Sequence, residues 1–189
     1  MADVDALLSM HGIDKGFPGV QALQGVDFAL LPGEIHAVVG ENGAGKSTLI
    51  KVLTGVEHPD AGTITFAGQE VHVRSPQHAQ TLGISTVYQE VNLCPNLSVG
   101  ENILIGRAPR RLGRLASRAL HRRAAELLRG LDIEVDVTQP LGSYPVAIQQ
   151  MAAIARALEI ASARILILDE PTSSLDAHET DQLFRVMRK

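Results

Sequence analysis

Cysteine is almost missing from this 189-residue chain: Cys94 stands alone, so no disulfide can form within it and a reducing compartment is its expected home. That thiol reads as a small, half-buried hydrophobe and not as a reactive group. Long apolar runs are missing as well. The richest, Ala163 to Pro171 (ARILILDEP), is interrupted by Asp169 within the length of one strand, well short of the ~20 residues that span a bilayer. Any membrane role must then come through a partner. The opening MADVDALLSM has acidic residues where a secretory leader has basic ones, and no small-residue cleavage site follows, so export is not expected. There is no internal repeat and no low-complexity tract, and a net charge of -4 is too slight to dictate a partner. What remains, with 45% hydrophobic residues, is enough for one good core in a soluble globular domain.

Positive charge is unevenly spread, because Arg107, Arg110, Arg111, Arg114, Arg118, Arg122, Arg123 and Arg129 crowd one stretch. Such a run invites a nucleic-acid reading. It contains no aromatic residue on which a base could stack, however, and Leu115, Leu120, Leu127, Leu128 and Leu131 recur near helical spacing beside the arginines. The favoured reading is the solvated outer face of an amphipathic helix, with phosphate or lipid binding as the alternative.

Along the chain, LLSMHGI and GVDFALL predict short strands, and the Pro32-Gly33-Glu34 turn leads into a further strand, IHAVVG, ending at Gly40. A helix is expected from Ser47 to Leu53, closed by Gly55, followed by a hairpin turning at Ala67-Gly68. After the strand GISTVY, helix-forming residues run with breaks from Leu97 to about Leu158. The strand ARILILD then has the near-continuous apolar character of one covered on both faces. A last helix is expected after Asp176, its N-cap. Its apolar residues Leu183, Phe184, Val186 and Met187 call for a following strand, so the sequence reads as part of a larger domain.

Between the predicted strand and helix lies GENGAGKST, Gly40 to Thr48, which satisfies G-x-x-x-x-G-K-[ST] in the context that motif requires. Gly40, Gly43 and Gly45 allow the turns that aim successive N–H groups of Gly40, Glu41, Asn42, Gly43, Ala44, Gly45 and Lys46 at phosphate oxygens, at the positive end of a helix dipole. Lys46 adds a point charge for the β and γ phosphates. Ser47 offers a hydroxyl to Mg²⁺, and Thr48 can hydrogen-bond a phosphate. Downstream, the strand RILIL ends in Asp169-Glu170. Asp169 is placed to hold the water shell of Mg²⁺, and Glu170 to polarise an attacking water.

Together these segments resemble the ATP-binding subunits of ABC transporters. VGENGAGKSTLIKVLTG, TVYQEVNLCPNLSVGENI, QQMAAIARAL and LILDEPTSSLD follow the family's order over nearly the whole chain, and GENGAGKST, FPGVQAL and YQEVNL look most like bacterial monosaccharide importers. The resemblance implies an α/β fold: a phosphate-loop NTPase core, about 1–95 with 159–189, an antiparallel β layer, and an inserted α-helical subdomain, about 96–158. It matches Phe17 to the aromatic that stacks on adenine, Val20 and Ala22 to the apolar patch around it, and Gln89 to a glutamine that reaches Mg²⁺ and the attacking water. It matches Ser173 to Asp176 to a loop that crosses to a partner domain.

The implied function is ATP hydrolysis, with catalytic Glu170, Lys46 and Gln89 and metal-binding Ser47, Gln89 and Asp169, energising import of a simple sugar. The implied partners are a second nucleotide-binding domain, fused in the full-length chain, polytopic permease subunits and, indirectly, a periplasmic sugar-binding protein, but no nucleic acid. The implied location is peripheral, on the cytoplasmic face of the inner membrane. Two departures stand out. The family's switch histidine falls after Lys189, and His178 is too early to serve. The five signature positions, LSGGQ in the family, fall on Tyr144, Pro145, Val146, Ala147 and Ile148, where Pro145 has neither hydroxyl nor N–H. Because that motif acts on the partner's ATP, the expectation is an asymmetric pair whose weaker site is the opposite one. Two alternatives stay open: a soluble ATPase of the same type acting on nucleic acid or ribosomes, and a low-turnover regulatory subunit.

Overall fold

The computed structural model describes residues 6–87, 93–108, 110–111, 114–159, 163–172 and 175–188. The chain divides into two compact units, 1–82 and 83–189.

The first unit is built on an antiparallel sheet. Strands β1 (Leu8–Phe17) and β2 (Val20–Leu30) form a hairpin, and β3 (Ala61–Phe66) and β4 (Gln69–Glu70) form a second one. The order across the sheet is β2-β1-β3-β4. The Ala67-Gly68 turn was expected, and both residues have positive φ, 52° and 78°, the twist a two-residue hairpin loop needs. The long hairpin is bulged where carboxylates reach across it: Asp27 accepts the Gly12 N–H at 2.8 Å and Asp14 accepts the Gly25 N–H at 2.6 Å. Leu8, Met10, Ile13, Leu23, Ile64 and Phe66 bury one face of the sheet's strands. Helix α1 (Lys46–Leu53) adds Val52 and Leu53 to the buried set and stops at Thr54, with Gly55 in the left-handed region behind it. Helix α2 (Pro76–Leu82) ends the unit, its first turn capped by the Ser75 hydroxyl, which accepts the His78 N–H at 3.1 Å.

One expected element differs. The segment 35–39 (IHAVV) forms no strand, and Ile35, Val38 and Val39 are exposed, Val39 at 89%. The turn before it is present: Glu34 accepts the Leu31 N–H at 2.7 Å, a hydrogen bond that holds the Glu34 carboxyl below the usual range. A central strand owes its ladder to neighbours far away in sequence. No ladder to 35–39 exists among the described residues, so the apolar pattern alone does not make it a strand.

The second unit pairs β5 (Ile84–Val87) in parallel with β8 (Ile165–Leu168). Helix α3 (Val99–Ile103) opens with a reciprocal cap: Ser98 Oγ accepts the Glu101 N–H at 3.2 Å, and Glu101 Oε2 accepts the Ser98 N–H at 2.8 Å. A short hairpin, β6 (Arg110–Arg111) with β7 (Arg114–Leu115), precedes α4 (Ser117–Gly130). Helix α4 fits the expected amphipathic reading. Leu120, Ala124 and Leu128 are buried while Arg118, Arg122, Arg123 and Arg129 are exposed. Arg123 forms a two-pronged ion pair with Glu159, at 3.1 and 2.8 Å, at the end of α5 (Val146–Glu159). Helix α6 (Ala177–Met187) is capped by Asp176 as expected, its carboxylate accepting the Glu179 N–H at 2.8 Å. Leu183 and Val186 join the buried cluster with Ile103, Leu120, Leu141, Met151 and Ile154, whereas Phe184 stays exposed.

The single cysteine also differs from expectation, since Cys94 is exposed. Its backbone is turned inward: the fully buried Asn102 accepts the Cys94 N–H at 2.8 Å and donates to the Cys94 carbonyl at 2.9 Å, leaving the thiol outside.

Candidate functional site

In the first unit the phosphate loop wraps the start of α1. Gly43 and Gly45 both take φ 87°, a left-handed conformation in which a Cβ is strained. At Gly45 space forbids it as well, because a Cβ would stand 2.6 Å from the Ala22 carbonyl and 2.9 Å from Leu23 Cδ2. The loop is therefore pressed onto β2 beside Ala22, part of the expected base-binding patch. Gly45 caps α1 with no side-chain partner, and the first turn of the helix holds no acidic residue. Its N–H groups and the dipole's positive end thus face the exposed loop Gly40 to Ala44. Lys46, the first residue of α1, bends over that loop and donates to the carbonyls of Gly40 at 2.5 Å and Glu41 at 2.9 Å. Ser47 is exposed and Thr48 half-buried. The result is an exposed glycine-rich loop at an uncapped helix N-terminus with a cation bent over it, a setting suited to a polyphosphate.

Phe17 ends β1 opposite Val20, at 39% and 64% exposure, so both are open to a planar ligand. A residue that sequence reasoning missed holds this corner. Lys15 Nζ lies 5.5 Å from the Phe17 ring centroid and within 3.4 Å of Asp60 and 3.7 Å of Glu57. Asp60 also accepts the Gly16 N–H at 2.7 Å, which keeps its carboxyl below the usual range, with Lys15 acting in the same direction. The ring is thus fixed from one side. No motif marks Lys15, because its partners return to it only through the fold.

The second unit supplies the carboxylates. Asp169 continues the parallel ladder, its N–H donating to the Val87 carbonyl at 3.0 Å, and is half-buried at the carboxyl end of β8. Glu170 is exposed with φ 46°, a conformation that costs a residue with a Cβ roughly 1–2 kcal/mol. Such strain persists only where neighbours impose it. The next residue shows one such constraint: Gln150 Nε2, on α5, donates to the Pro171 carbonyl at 2.6 Å. Gln89, Ser173 and Ser174 lie outside the described residues.

At Tyr144 to Ile148, Pro145 stands just before α5, and its carbonyl accepts the Gln149 N–H at 3.1 Å. Tyr144 is tied down by its hydroxyl, which donates to the Asp136 carbonyl at 3.0 Å, and by Gln149 Nε2, which donates to the Tyr144 carbonyl at 2.9 Å. Val146 projects at 51% exposure. The segment is an ordered helix start without a hydroxyl cap.

Among the described residues no cluster of three or more His, Cys, Asp or Glu is gathered to hold a metal. Of the donors expected for Mg²⁺, Gln89 lies outside the described residues, and the Ser47 hydroxyl and the Asp169 carboxylate are hard oxygen ligands, which suit a cation that keeps most of its waters and binds through substrate phosphates. No helix among the described residues is long and apolar enough to cross a membrane.

Comparison with known proteins identifies the family and the fold. The ABC transporter family model matches residues 23–173. The chain is 54% identical over 183 residues to the galactofuranose transporter ATP-binding protein YtfR of Escherichia coli K12, covering 97% of this chain and 36% of that protein. It is 55% identical to the ribose import ATP-binding protein RbsA 1 of Rubrobacter xylanophilus, with 97% and 36% covered, and 51% identical to the fructose import ATP-binding protein FruK of Bifidobacterium longum, with 100% and 37% covered. It thus spans little more than a third of the length of these relatives. Among solved structures, cbiO1 of Clostridium perfringens, part of the ABC transporter complex cbiONQ, superposes with TM-score 0.81 at 26% identity, covering 97% of this chain and 73% of that one. The ADP form of MJ1267, an ATP-binding cassette of an ABC transporter, gives TM-score 0.83 at 24% identity, with 97% and 76% covered. From motif, fold and similarity alike, this chain belongs to the ABC transporter family and has the fold of its ATP-binding cassettes.

Proposed function

We propose that this chain binds ATP with Mg²⁺ and hydrolyses it to energise import of a simple sugar through separate permease subunits. The observation that carries the proposal is the loop itself: Gly43 and Gly45 in left-handed turns, a start of α1 with no side-chain cap, and Lys46 bent over the loop. The sugar-import names of the relatives above support the choice of cargo.

In the proposed reaction the loop amides of Gly40 to Lys46, with Thr48, hold the phosphates, and Phe17, Val20 and Ala22 hold the base. Ser47, Asp169 and Gln89 would hold Mg²⁺, which when bound neutralises charge on the β and γ phosphates. Glu170 takes a proton from a water as its oxygen bonds to the γ phosphorus. The bond from that phosphorus to the bridging β–γ oxygen breaks, ADP leaves, and Lys46 stabilises the charge that develops. The core is taken as about 1–95 with 159–189, the helical subdomain as about 96–158. The working assembly is taken as two nucleotide-binding domains on the cytoplasmic face of the inner membrane, served indirectly by a periplasmic sugar-binding protein. Pro145 weakens the site that this chain completes on its partner, not its own.

Nucleotide binding to the loop is tested by titrating the chain with a fluorescent ATP analogue. Lys46→Ala is expected to lower affinity at least tenfold while the circular dichroism spectrum is unchanged. Equal affinity in the variant would remove the loop from the proposal.

A further inference from the structure

We propose that Gln150 is a positioning residue for Glu170, acting through the Pro171 carbonyl; this rests on the reading of Glu170 as the hydrolytic base. Helix α5 is lined with Ala147, Met151, Ala152, Ala153, Ile154, Ala155 and Ala157, all buried, and Gln150 lies among them at 9% exposure. Removing an amide from water is costly unless its hydrogen bonds are replaced. Gln150 replaces one of them outside its own helix, donating to Pro171 at 2.6 Å. That carbonyl belongs to the residue directly after Glu170, whose φ of 46° requires an imposed backbone. Helix α5 is a firm base for the contact. Its first turn is fastened by Gln149 Nε2 to the Tyr144 carbonyl at 2.9 Å, and its last by Glu159 to Arg123 at 2.8 Å. A donor on a well-anchored helix thus holds the Pro171–Thr172 peptide, and the ring-fixed φ of Pro171 carries that constraint back toward the Glu170 backbone. Pro171 offers no N–H of its own for an alternative tether.

The test uses the full polypeptide assembled with its membrane subunits. Gln150→Leu keeps the volume and removes the donor. It is expected to lower kcat about 10- to 100-fold with KM for ATP within twofold, the melting temperature within a few degrees, and faster amide hydrogen exchange at residues 170–175. Gln150→Glu donates only when protonated, so its kcat relative to wild type is expected to rise as pH falls from 8 to 6, a recovery that Gln150→Leu does not show. Wild-type kcat in Gln150→Leu, unchanged exchange at 170–175, or a parallel loss of ATP affinity and melting temperature would each overturn the inference. Glu170→Gln is measured alongside. If it hydrolyses ATP at the wild-type rate, the reading of Glu170 fails and takes this inference with it, whereas a dead Glu170→Gln beside a fully active Gln150→Leu rejects the Gln150 link alone.

Discussion

Gly45 is where a single atom decides the site. Its φ of 87° and the 2.6 Å approach that a Cβ would make to Ala22 mean that Gly45→Ala must move either the loop or β2. The expected cost is about 1–3 kcal/mol by urea denaturation, with weaker nucleotide binding in proportion. At Lys15 the expected effect is milder. Lys15→Met keeps much of the stem but removes the cation from the Phe17 ring and from Asp60, and exposed cation–π contacts are worth about 0.5–1 kcal/mol. Affinity for a fluorescent ATP analogue should fall about two- to fivefold, and affinity for inorganic triphosphate should not change. The contrast between these residues shows what a sequence reveals. Gly40 to Thr48 is legible because all its parts are adjacent in the chain. Lys15 is not, because its role depends on where Glu57 and Asp60 return. Gln150 lies between the two: its helical phase with Ala147 and Ile154 marks it as inward-facing, but only the fold shows that Pro171 is what it meets.

Elements with local signals formed as the sequence suggested. The turn at Ala67-Gly68, the stop at Gly55 and the cap at Asp176 each depend on residues within one turn of the element they bound. The segment 35–39 did not form a strand, because alternation and apolar content specify a surface but not the neighbouring strands that must complete it. Helix α3 offers a test at this scale. The Ser98 hydroxyl and N–H hold the Glu101 carboxyl below its ordinary value, so the folded form binds that proton less readily than the unfolded chain. The cap's contribution is therefore fully present above the unfolded carboxylate range and is lost as pH falls through the lower folded value. Ser98→Ala should cost about 1 kcal/mol at pH 7. The difference from wild type should shrink in acid denaturation below about pH 4, the ordinary glutamate range.

At the scale of the whole molecule, the phosphate loop belongs to residues 1–82 and the carboxylates to residues 83–189. The proposed asymmetry adds a second site on a partner domain. Pro145→Ser would return a hydroxyl and an N–H to the segment before α5. If this segment serves the partner's ATP, the variant should raise turnover in a pair whose own site is disabled by Glu170→Gln, and leave this chain's nucleotide affinity unchanged. The central claim, that the chain hydrolyses ATP with Glu170 as base, is tested most directly by single-turnover hydrolysis of radiolabelled ATP. The assay uses the full polypeptide with its permease, wild type against Glu170→Gln, with the partner site inactivated in both. The account predicts ATP binding within about twofold and a hydrolysis rate at least ~100-fold lower in the variant, within the range carried by a positioned base. An undiminished rate in Glu170→Gln would contradict it.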